Sequence, residues 1–480
     1  MKADEREILQ KIRDAVFSNP FDQERRAIGL AITGLSSSDP VNEIRAQLLA
    51  RVTETIASVT SRNAKRNISF SKEDKELLHF SILFQVFHDF CDDYDDHIDK
   101  QIAAGDTCCP VPFARDVLAV LTGNNIPEQE AVRLFSLFFQ MRRAFYFISG
   151  IAGKSRCVME LRRSLWNNIF TCDIRIYDTF LWNRMEDFST MILGETGTGK
   201  GMAAAAIGRS GYIPFDPQKG QFSESFARAF TPINLSQYPE QLIESELFGH
   251  KKGAFTGAIE AHHGVFSRCS PCGAIFLDEI GDVTIPVQIK LLQVLQERTF
   301  TPVGSRQTEK FQGRVIAATN RSLEKIRKKG QFRDDFYYRL CSDVIHVPPL
   351  RQRLEEHEGE LTEILHITIQ RILGSQDQKI ITKVKNYIKK NQPVHYPWPG
   401  NIRELEQCAR RILLNDGYQW QSTGDASEKD PFIKNLENGK LTASQLLSHY
   451  CTRLYQQLGT YEAVARQTEL DRRTVKKYIT

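Results

Sequence analysis

Seven residues in the middle of the chain, Gly194-Glu195-Thr196-Gly197-Thr198-Gly199-Lys200, have the types and spacing needed to hold a polyphosphate. Glycines so placed let successive backbone N–H groups turn inward around a β-phosphate, and the closing lysine reaches the β- and γ-phosphates. The apolar run Met191-Ile192-Leu193 comes directly before, and a helical pattern from Met202 to Ile207 directly after. The loop therefore joins a strand to a helix whose N-terminus faces the anion. Gly201 stands where such loops usually carry a Ser or Thr that ligates Mg²⁺, so the metal would rest on Asp278, phosphate oxygens and water. Asp278 and Glu279 follow the apolar run Ile275-Phe276-Leu277. One carboxylate at a strand end suits a magnesium ion, and the second suits orienting and deprotonating an attacking water. The chemistry these groups point to is hydrolysis of a nucleoside triphosphate.

Downstream lies Gly253-Ala254-Phe255-Thr256-Gly257-Ala258. Glycine-rich sequence makes poor helix, so the stretch is a loop. Its composition allows two arrangements: a protruding loop with Phe255 exposed as a docking contact, or a turn with Phe255 packed inward. Near the C-terminus, Tyr461 to Gln467 and Asp471 to Ile479 read as two short helices that pack through Ala463, Val464, Leu470, Val475 and Ile479. Asp471 caps the second, which presents Arg472, Arg473, Thr474, Lys476 and Lys477 to DNA. Glu469 sits in the turn, where a left-handed residue is needed and Gly is usual.

Two other clusters invite a metal. Cys269 and Cys272 form a Cys-x-x-Cys pair without a second pair nearby, and read as small residues in a turn before a buried strand. The segment from His88 to Asp99 holds two histidines and several carboxylates, with His88 and Asp92 to Asp99 as candidate ligands. An acidic, solvated helix end explains it as well, and better.

The elements that must position these groups change character along the chain. With 480 residues, three or four domains are expected. Hydrophobic residues at 41% and charged residues at 25% fit a globular protein. The net charge of +4 does not by itself indicate a nucleic-acid partner, so any basic surface is local. Residues 1–165 show helical spacing, as in Leu78 to Phe90 and Val132 to Met141, and predict a mostly α N-terminal domain. From 166 short apolar runs alternate with helical patterns; Ala274 to Leu277 ends in Asp278-Glu279, and Val315 to Ala318 in Thr319-Asn320. Buried strands that end in polar residues predict a parallel α/β sheet with its ligand at that edge. Residues 348–415 turn helical, 416–438 read as a linker, and 439–480 form a small helical unit. Met1 to Gln10 has no apolar stretch of a secretory signal, and the longest apolar run, Leu134 to Ile151, is broken by Gln140, Arg142 and Arg143. A cytoplasmic protein with reduced thiols and no membrane contact is expected.

Four further runs carry a resemblance. They are Glu244-Ser245-Glu246-Leu247-Phe248-Gly249-His250 leading into Gly253 to Ala258, Phe332-Arg333-Asp334-Asp335-Phe336-Tyr337-Tyr338-Arg339-Leu340, and Pro397-Trp398-Pro399-Gly400-Asn401-Ile402-Arg403-Glu404-Leu405, besides the phosphate loop. Over roughly residues 165–415 the chain resembles the sigma-54-dependent activators, or bacterial enhancer-binding proteins, among the AAA+ ATPases. The C-terminal helices resemble that family's Fis-type helix-turn-helix. The resemblance implies a multidomain protein with an AAA+ α/β core (166–347), a helical lid (348–415) and a DNA-binding helix-turn-helix (439–480).

It also implies ATP and Mg²⁺ as ligands, with residues 194–201, Asp278 and Arg403 at the nucleotide. Glu279 becomes the base, Asn234 its restraint, Thr319 and Asn320 the sensor at the γ-phosphate. Arg333 and Arg339 match arginine fingers acting on a neighbouring subunit in a hexameric ring. The family usually has Glu at the position of Gly201, so the departure removes no magnesium ligand. Gly253 to Ala258 becomes the sigma-factor contact, led by Phe255 and Thr256, with a second loop in 300–312 moving beside it. The implied function is ATP-driven conversion of the closed sigma-54 polymerase complex into an open one from upstream DNA sites. A repressor that uses the ATPase core only for assembly, and a remodelling ATPase with another protein target, are the rival readings; the intact Gly253 to Ala258 run opposes the first and the C-terminal helices the second. Residues 1–165 are then expected to be the input module.

Overall fold

The computed structural model describes residues 1–66, 70–375, 377–420, 439 and 441–479, in two compact units, Met1–Gly417 and Tyr418–Thr480. The centre of the first unit is a five-stranded parallel sheet. Its strands are β1 (Thr190–Leu193), β2 (Phe230–Asn234), β3 (Ala274–Asp278), β4 (Arg314–Thr319) and β5 (Asp343–His346). They lie in the order β2-β3-β4-β1-β5. Asn234 pairs in register with Asp278, and Leu193 with Thr319, so the polar strand ends share one edge with the start of the phosphate loop.

The strands read as continuous apolar runs because both faces are covered. On one face Met191, Ile275, Leu277, Val315 and Ala317 meet Leu247, Phe248 and the helix Ile285–Glu297. On the other, Ile192, Phe276, Ile316 and Ala318 meet Ala203, Ala204, Ala206 and Ile207 of the helix Lys200–Gly208.

Among the described residues, eight helices of ten residues or more precede the sheet: α1 (Ala3–Phe17), α2 (Gln23–Thr33), α3 (Val41–Arg66), α4 (Lys72–Asp89), α5 (Cys91–Ala104), α6 (Ala114–Gly123), α7 (Glu128–Ser149) and α8 (Arg156–Phe170). The expected all-α character holds, but the expected boundary at 165/166 falls inside α8. Leu137, Ala144 and Ile148 of α7 and Val158, Leu161, Leu165 and Ile169 of α8 share the second core with the sheet. Helices α4 to α7 share a further core with Phe215, Phe222 and Phe226, which belong to the segment between the phosphate-loop helix and β2. A core of their own is found for α1 to α4, around Ile12, Ile32, Val52 and Phe84.

The polar residues that interrupt α7 have structural partners. Fully buried Arg143 donates from Nη1 to the Arg209 carbonyl at 2.8 Å and from Nη2 to the Gly211 carbonyl at 2.7 Å. Gln140 Nε2 donates to the Ser210 carbonyl at 2.9 Å. These carbonyls close the C-terminal end of Lys200–Gly208, where orphan acceptors and the helix dipole favour a cation. Arg142 pairs instead with Asp95 of α5, Nε to Oδ1 at 2.6 Å.

That pair explains part of the acidic segment. Asp99 accepts from the Tyr146 hydroxyl at 2.6 Å, and His97 is buried among the rings of Phe113, Phe139 and Phe222. His88 lies against Phe84 at 4.3 Å between ring centroids. Among the described residues no group of His, Cys, Asp and Glu is arranged to hold a metal ion.

Lid helices follow β5: Leu350–Glu356, Glu360–Leu373, Gln378–Asn391 and Asn401–Asn415. A buried ion pair, Arg353 with Glu360 at 2.7 Å, fixes the first two. Glu360 also accepts from the Lys154 and Ser155 amides at 2.7 and 3.1 Å, so the lid grips the turn between α7 and α8. Among the described residues no helix is long and apolar enough to cross a membrane.

The second unit contains Ala443–Leu458, Tyr461–Thr468 and Arg472–Ile479, packed around Cys451, Leu454, Val464 and Val475. Glu469 is left-handed at φ 55°, and Asp471 Oδ1 accepts from the Arg473 amide at 2.5 Å. Arg472, Arg473, Lys476 and Lys477 are exposed, with Arg472 paired to Glu462 at 3.0 Å. Most of the expected linker, 421–438, lies outside the described residues.

Burial pushes the His97 pKa down to about 4 and, helped by Arg25, Arg45 and Arg142, the His88 pKa to about 3. Both lie below the unfolded value of about 6.5. The unfolded chain therefore takes up protons first as pH falls, and stability is lost between about pH 6.5 and 4, by up to roughly 1.4 kcal/mol per pH unit for each histidine. Urea melts of His97→Phe should show a shallower loss between pH 7 and 5 than the parent; parallel slopes would remove His97 from the account.

Candidate functional site

The phosphate loop leaves β1 and enters Lys200–Gly208 with Gly197 and Gly199 at φ 77° and 104°, a region costly for any side chain. Lys200 is buried and donates from Nζ to the carbonyls of Gly194 at 3.0 Å and Glu195 at 3.2 Å. Thr198 Oγ1 donates to the Glu195 carbonyl at 2.9 Å. Gly201 is exposed, and a Cβ there would meet nothing within 4 Å, so its departure from the usual side chain neither relieves a clash nor frees a contact.

Across the edge, Asp278 closes β3 and its Oδ1 accepts from the Glu279 amide at 3.0 Å. Glu279 is held left-handed at φ 57°, ψ 43°, a strain of about 1–2 kcal/mol for a residue with a Cβ. Its Oε2 accepts from the Asn320 amide at 3.3 Å, while Asn320 Nδ2 donates to Thr196 Oγ1 at 2.8 Å. Asn320 thus links the acidic pair to the phosphate loop. Burial raises the pKa of both carboxyls, and Lys200 opposes the rise. Arg403 also opposes it at Asp278.

Asn234 stands beside Asp278 in the sheet register, but its Oδ1 accepts from the Ser236 amide at 3.0 Å and the Ser236 hydroxyl at 2.7 Å. Among the described residues no hydrogen bond joins it to Glu279. The geometry gives that contact to Asn320, because Asn234 caps the short turn after β2.

The lid meets the loop backbone to backbone. The Ile402 amide donates to the Gly197 carbonyl at 3.0 Å, and a Cβ on Gly197 would lie 2.2 Å from the Gly400 carbonyl and 3.1 Å from Arg403 Cβ. Asn401, buried and left-handed at φ 51°, donates to Glu195 Oε2 at 3.2 Å and the Thr196 carbonyl at 3.0 Å. Its Oδ1 accepts from the Leu350 amide at 2.8 Å. Arg351 grips Glu195 through both carboxylate oxygens at 2.8 and 2.6 Å. Arg351 and Asn401 are absent from the sequence-predicted site. The signal available for Asn401 was its place after Pro-Gly, where the chain turns and Asn tolerates the left-handed region.

Arg333 stands at the N-cap of the helix Asp334–Leu340, and Arg339 in its last turn. Arg333 is paired side by side with Asp335, Nη2 to Oδ2 at 2.7 Å, and Arg339 Nε donates to the Leu295 carbonyl at 2.9 Å. Neither bonds to the phosphate loop or the acidic pair of its own chain.

Gly253 to Ala258 folds into a turn closed by the Gly253 amide on the Ala258 carbonyl at 2.8 Å, with Gly253 and Gly257 at φ 79° and 101°. Phe255 combines the two arrangements its composition allowed. It is 38% exposed, and its ring leans on His250 at 4.9 Å. Ile259 beside it is more exposed, at 78%. A Cβ on Gly304 would lie 2.8 Å from Ala254 Cβ, so the expected second loop rests directly on the first. Cys269 and Cys272 are free thiols, and burial pushes Cys269 up to about 12, in keeping with a structural turn.

Residues 178–346 match the family model described as the Sigma-54 interaction domain. A Nif-specific regulatory protein of Azotobacter vinelandii is 40% identical over 245 residues, 51% of this chain and 43% of that one. NtrC of Azospirillum brasilense is 40% identical over 228 residues, 47% of this chain and 43% of that one. The sigma54-dependent transcriptional activator SfnR of Pseudomonas putida is 39% identical over 251 residues, 52% of this chain and 61% of that one. The chain thus spans less than two thirds of each of these relatives. NtrX of Brucella abortus in complex with ATP aligns at a TM-score of 0.40 and 21% identity, over 74% of this chain and 76% of that one. Over residues 178–346, and with the parallel sheet and phosphate loop described above, the chain is similar to the sigma-54-dependent activators of the AAA+ ATPase family.

Proposed function

We propose that the chain hydrolyses ATP and uses the energy to convert a closed sigma-54 RNA polymerase complex into an open one while bound to DNA upstream of the promoter. The observation that carries this is the path of the chain from the sheet edge to the turn at Gly253. Strand β2 ends at Asn234 beside Asp278, the helix Glu240–Phe248 follows, and the turn that presents Phe255 comes next. Movement at the γ-phosphate edge reaches the polymerase contact through one helix. The name of the Pseudomonas putida relative supports the same reading.

In this reading residues 194–201 cradle the phosphates, with Lys200 and the helix N-terminus offsetting their charge. Glu279 takes a proton from the attacking water, positioned by the Asn320 amide. Asp278 is the residue that would hold Mg²⁺: burial raises its pKa, and a cation beside it would stabilise the carboxylate. When bound, the metal neutralises charge on the phosphates. Arg403 reads the nucleotide from the lid. Asn234 relays nucleotide state by leaving Ser236 for Glu279.

Arg333 and Arg339 act on the neighbour's nucleotide in a hexameric ring, so hydrolysis depends on assembly. Arg333 and Asp335 are both substantially exposed, so exchanging that pair for a phosphate costs little. Phe255 and Thr256 touch the sigma factor. Arg472, Arg473, Thr474, Lys476 and Lys477 contact DNA, largely at phosphates. Such a protein works in the cytoplasm.

Phe255→Ala should leave ATP turnover largely intact and abolish open-complex formation in reconstituted transcription; normal promoter opening would remove the loop from its role. Glu279→Gln should bind ATP yet turn it over at least about 100-fold more slowly, and unchanged turnover would exclude it as the base. Arg333→Ala should reduce turnover by about 100-fold or more and weaken assembly. A variant active as a monomer in sedimentation would contradict the finger in trans.

A further inference from the structure

A cavity of about 190 Å³ lies at the opposite edge of the sheet from the phosphates. Its walls include the first residues of two strands, Ala274 of β3 and Arg314 of β4, and the C-terminal end of Lys200–Gly208 at Ile207. The segment between α8 and β1 closes it with Tyr177 and Trp182. The size is below the roughly 300–1,000 Å³ of drug-sized sites, which limits an occupant to about one ring.

Three aromatic side chains, Tyr177, Trp182 and Tyr212, line this space, and the rings of Trp182 and Tyr212 meet edge-on at 4.8 Å. The Tyr177 hydroxyl is already committed to Gln140 Oε1 at 2.8 Å. Arg314 differs. Its Nε donates to the Phe188 carbonyl at 2.9 Å, and Nη2 donates to the Asn168 carbonyl, Asn168 Oδ1 and Thr190 Oγ1 at 3.1, 2.9 and 3.1 Å. Nη1 makes no hydrogen bond, and no carboxylate stands within ion-pair distance of the guanidinium, among the described residues. Burial lowers the Arg314 pKa to about 10, which leaves it charged at neutral pH. Arg314 is half-buried and lines the aromatic space, and a guanidinium there with a donor the protein leaves unused favours an anion. The acidic residue in the lining is Glu186, half-exposed, which would weaken an anion's hold rather than supply it.

We propose that this cavity binds a small aromatic carboxylate, with its ring against Trp182 and Tyr212 and its carboxylate on Nη1 of Arg314. The site is distinct from the nucleotide site, yet it touches the far ends of β3, β4 and the phosphate-loop helix. An occupant therefore contacts elements whose other ends hold Asp278, Thr319 and Lys200.

The test is calorimetric titration of the full chain with benzoate, with benzyl alcohol and acetate as comparisons. Because the readout is binding, it stands apart from the ATPase reading. Saturable benzoate binding, at least about tenfold tighter than either comparison, is expected. Trp182→Ala should weaken it about tenfold or more, while Trp182→Phe retains most of it. Glu186→Gln, a change at a half-exposed position, should bind benzoate equally or more tightly. Absence of saturation by benzoate would overturn the proposal. So would equal affinity for benzyl alcohol, unchanged affinity in Trp182→Ala, or weaker binding by Glu186→Gln.

Discussion

The contact on which the first unit depends is the backbone clasp between Gly197 of the phosphate loop and the Gly400–Ile402 turn of the lid. Its closeness leaves no room for a Cβ at Gly197, so the loop and lid are fixed in mutual register by main chain rather than by adjustable side chains. Asn401 and the Arg351–Glu195 pair surround the clasp with directed hydrogen bonds. The register brings Arg403 near enough to Asp278 to oppose the effect of its burial. From the same lid, Arg353 and Glu360 hold the turn between α7 and α8. Helix α7 in turn closes the far end of the phosphate-loop helix through Arg143 and Gln140. The contacts form a circuit: phosphate loop, lid, N-terminal helices, phosphate-loop helix. The N-terminal helices thus touch both the lid and the far end of the phosphate-loop helix.

This circuit also explains which parts of the molecule were legible in the sequence. The strand ends were, because an apolar run buried on both faces that stops at Asp278 or Thr319 has one sensible place in a parallel sheet. The lid and the C-terminal helices were legible for a similar reason: periodicity marks a buried face. Even the left-handed Glu469 was visible, since the turn needs that geometry whatever residue fills it.

Periodicity does not say what a buried face packs against. Helices α7 and α8 look in sequence like members of an independent bundle, and only their contact with Phe276, Ile316 and Ala203 shows that they complete the sheet's second layer. Gln140 and Arg143 look like interruptions until the carbonyls of residues 209–211 appear beside them. His97 stands among carboxylates in the sequence, and only the structure shows its aromatic cage. At the acidic pair, residue type was legible and the partner was not. Asn234 ends β2 and Asn320 follows β4, the strands on either side of β3, and only the local turns show that the Asn320 main-chain amide is the one that meets Glu279.

The central claim is the proposal that ATP hydrolysis at the edge holding Glu279 and Asp278 moves the turn at Phe255 through the Glu240–Phe248 helix. It is tested most directly by counting heparin-resistant open complexes formed by the full chain with sigma-54 RNA polymerase on a promoter carrying its upstream site. Reactions with ATP should accumulate them, and reactions with a non-hydrolysable ATP analogue at saturating concentration should remain closed. Equal yields with the two nucleotides would contradict the account, because opening would then need binding alone.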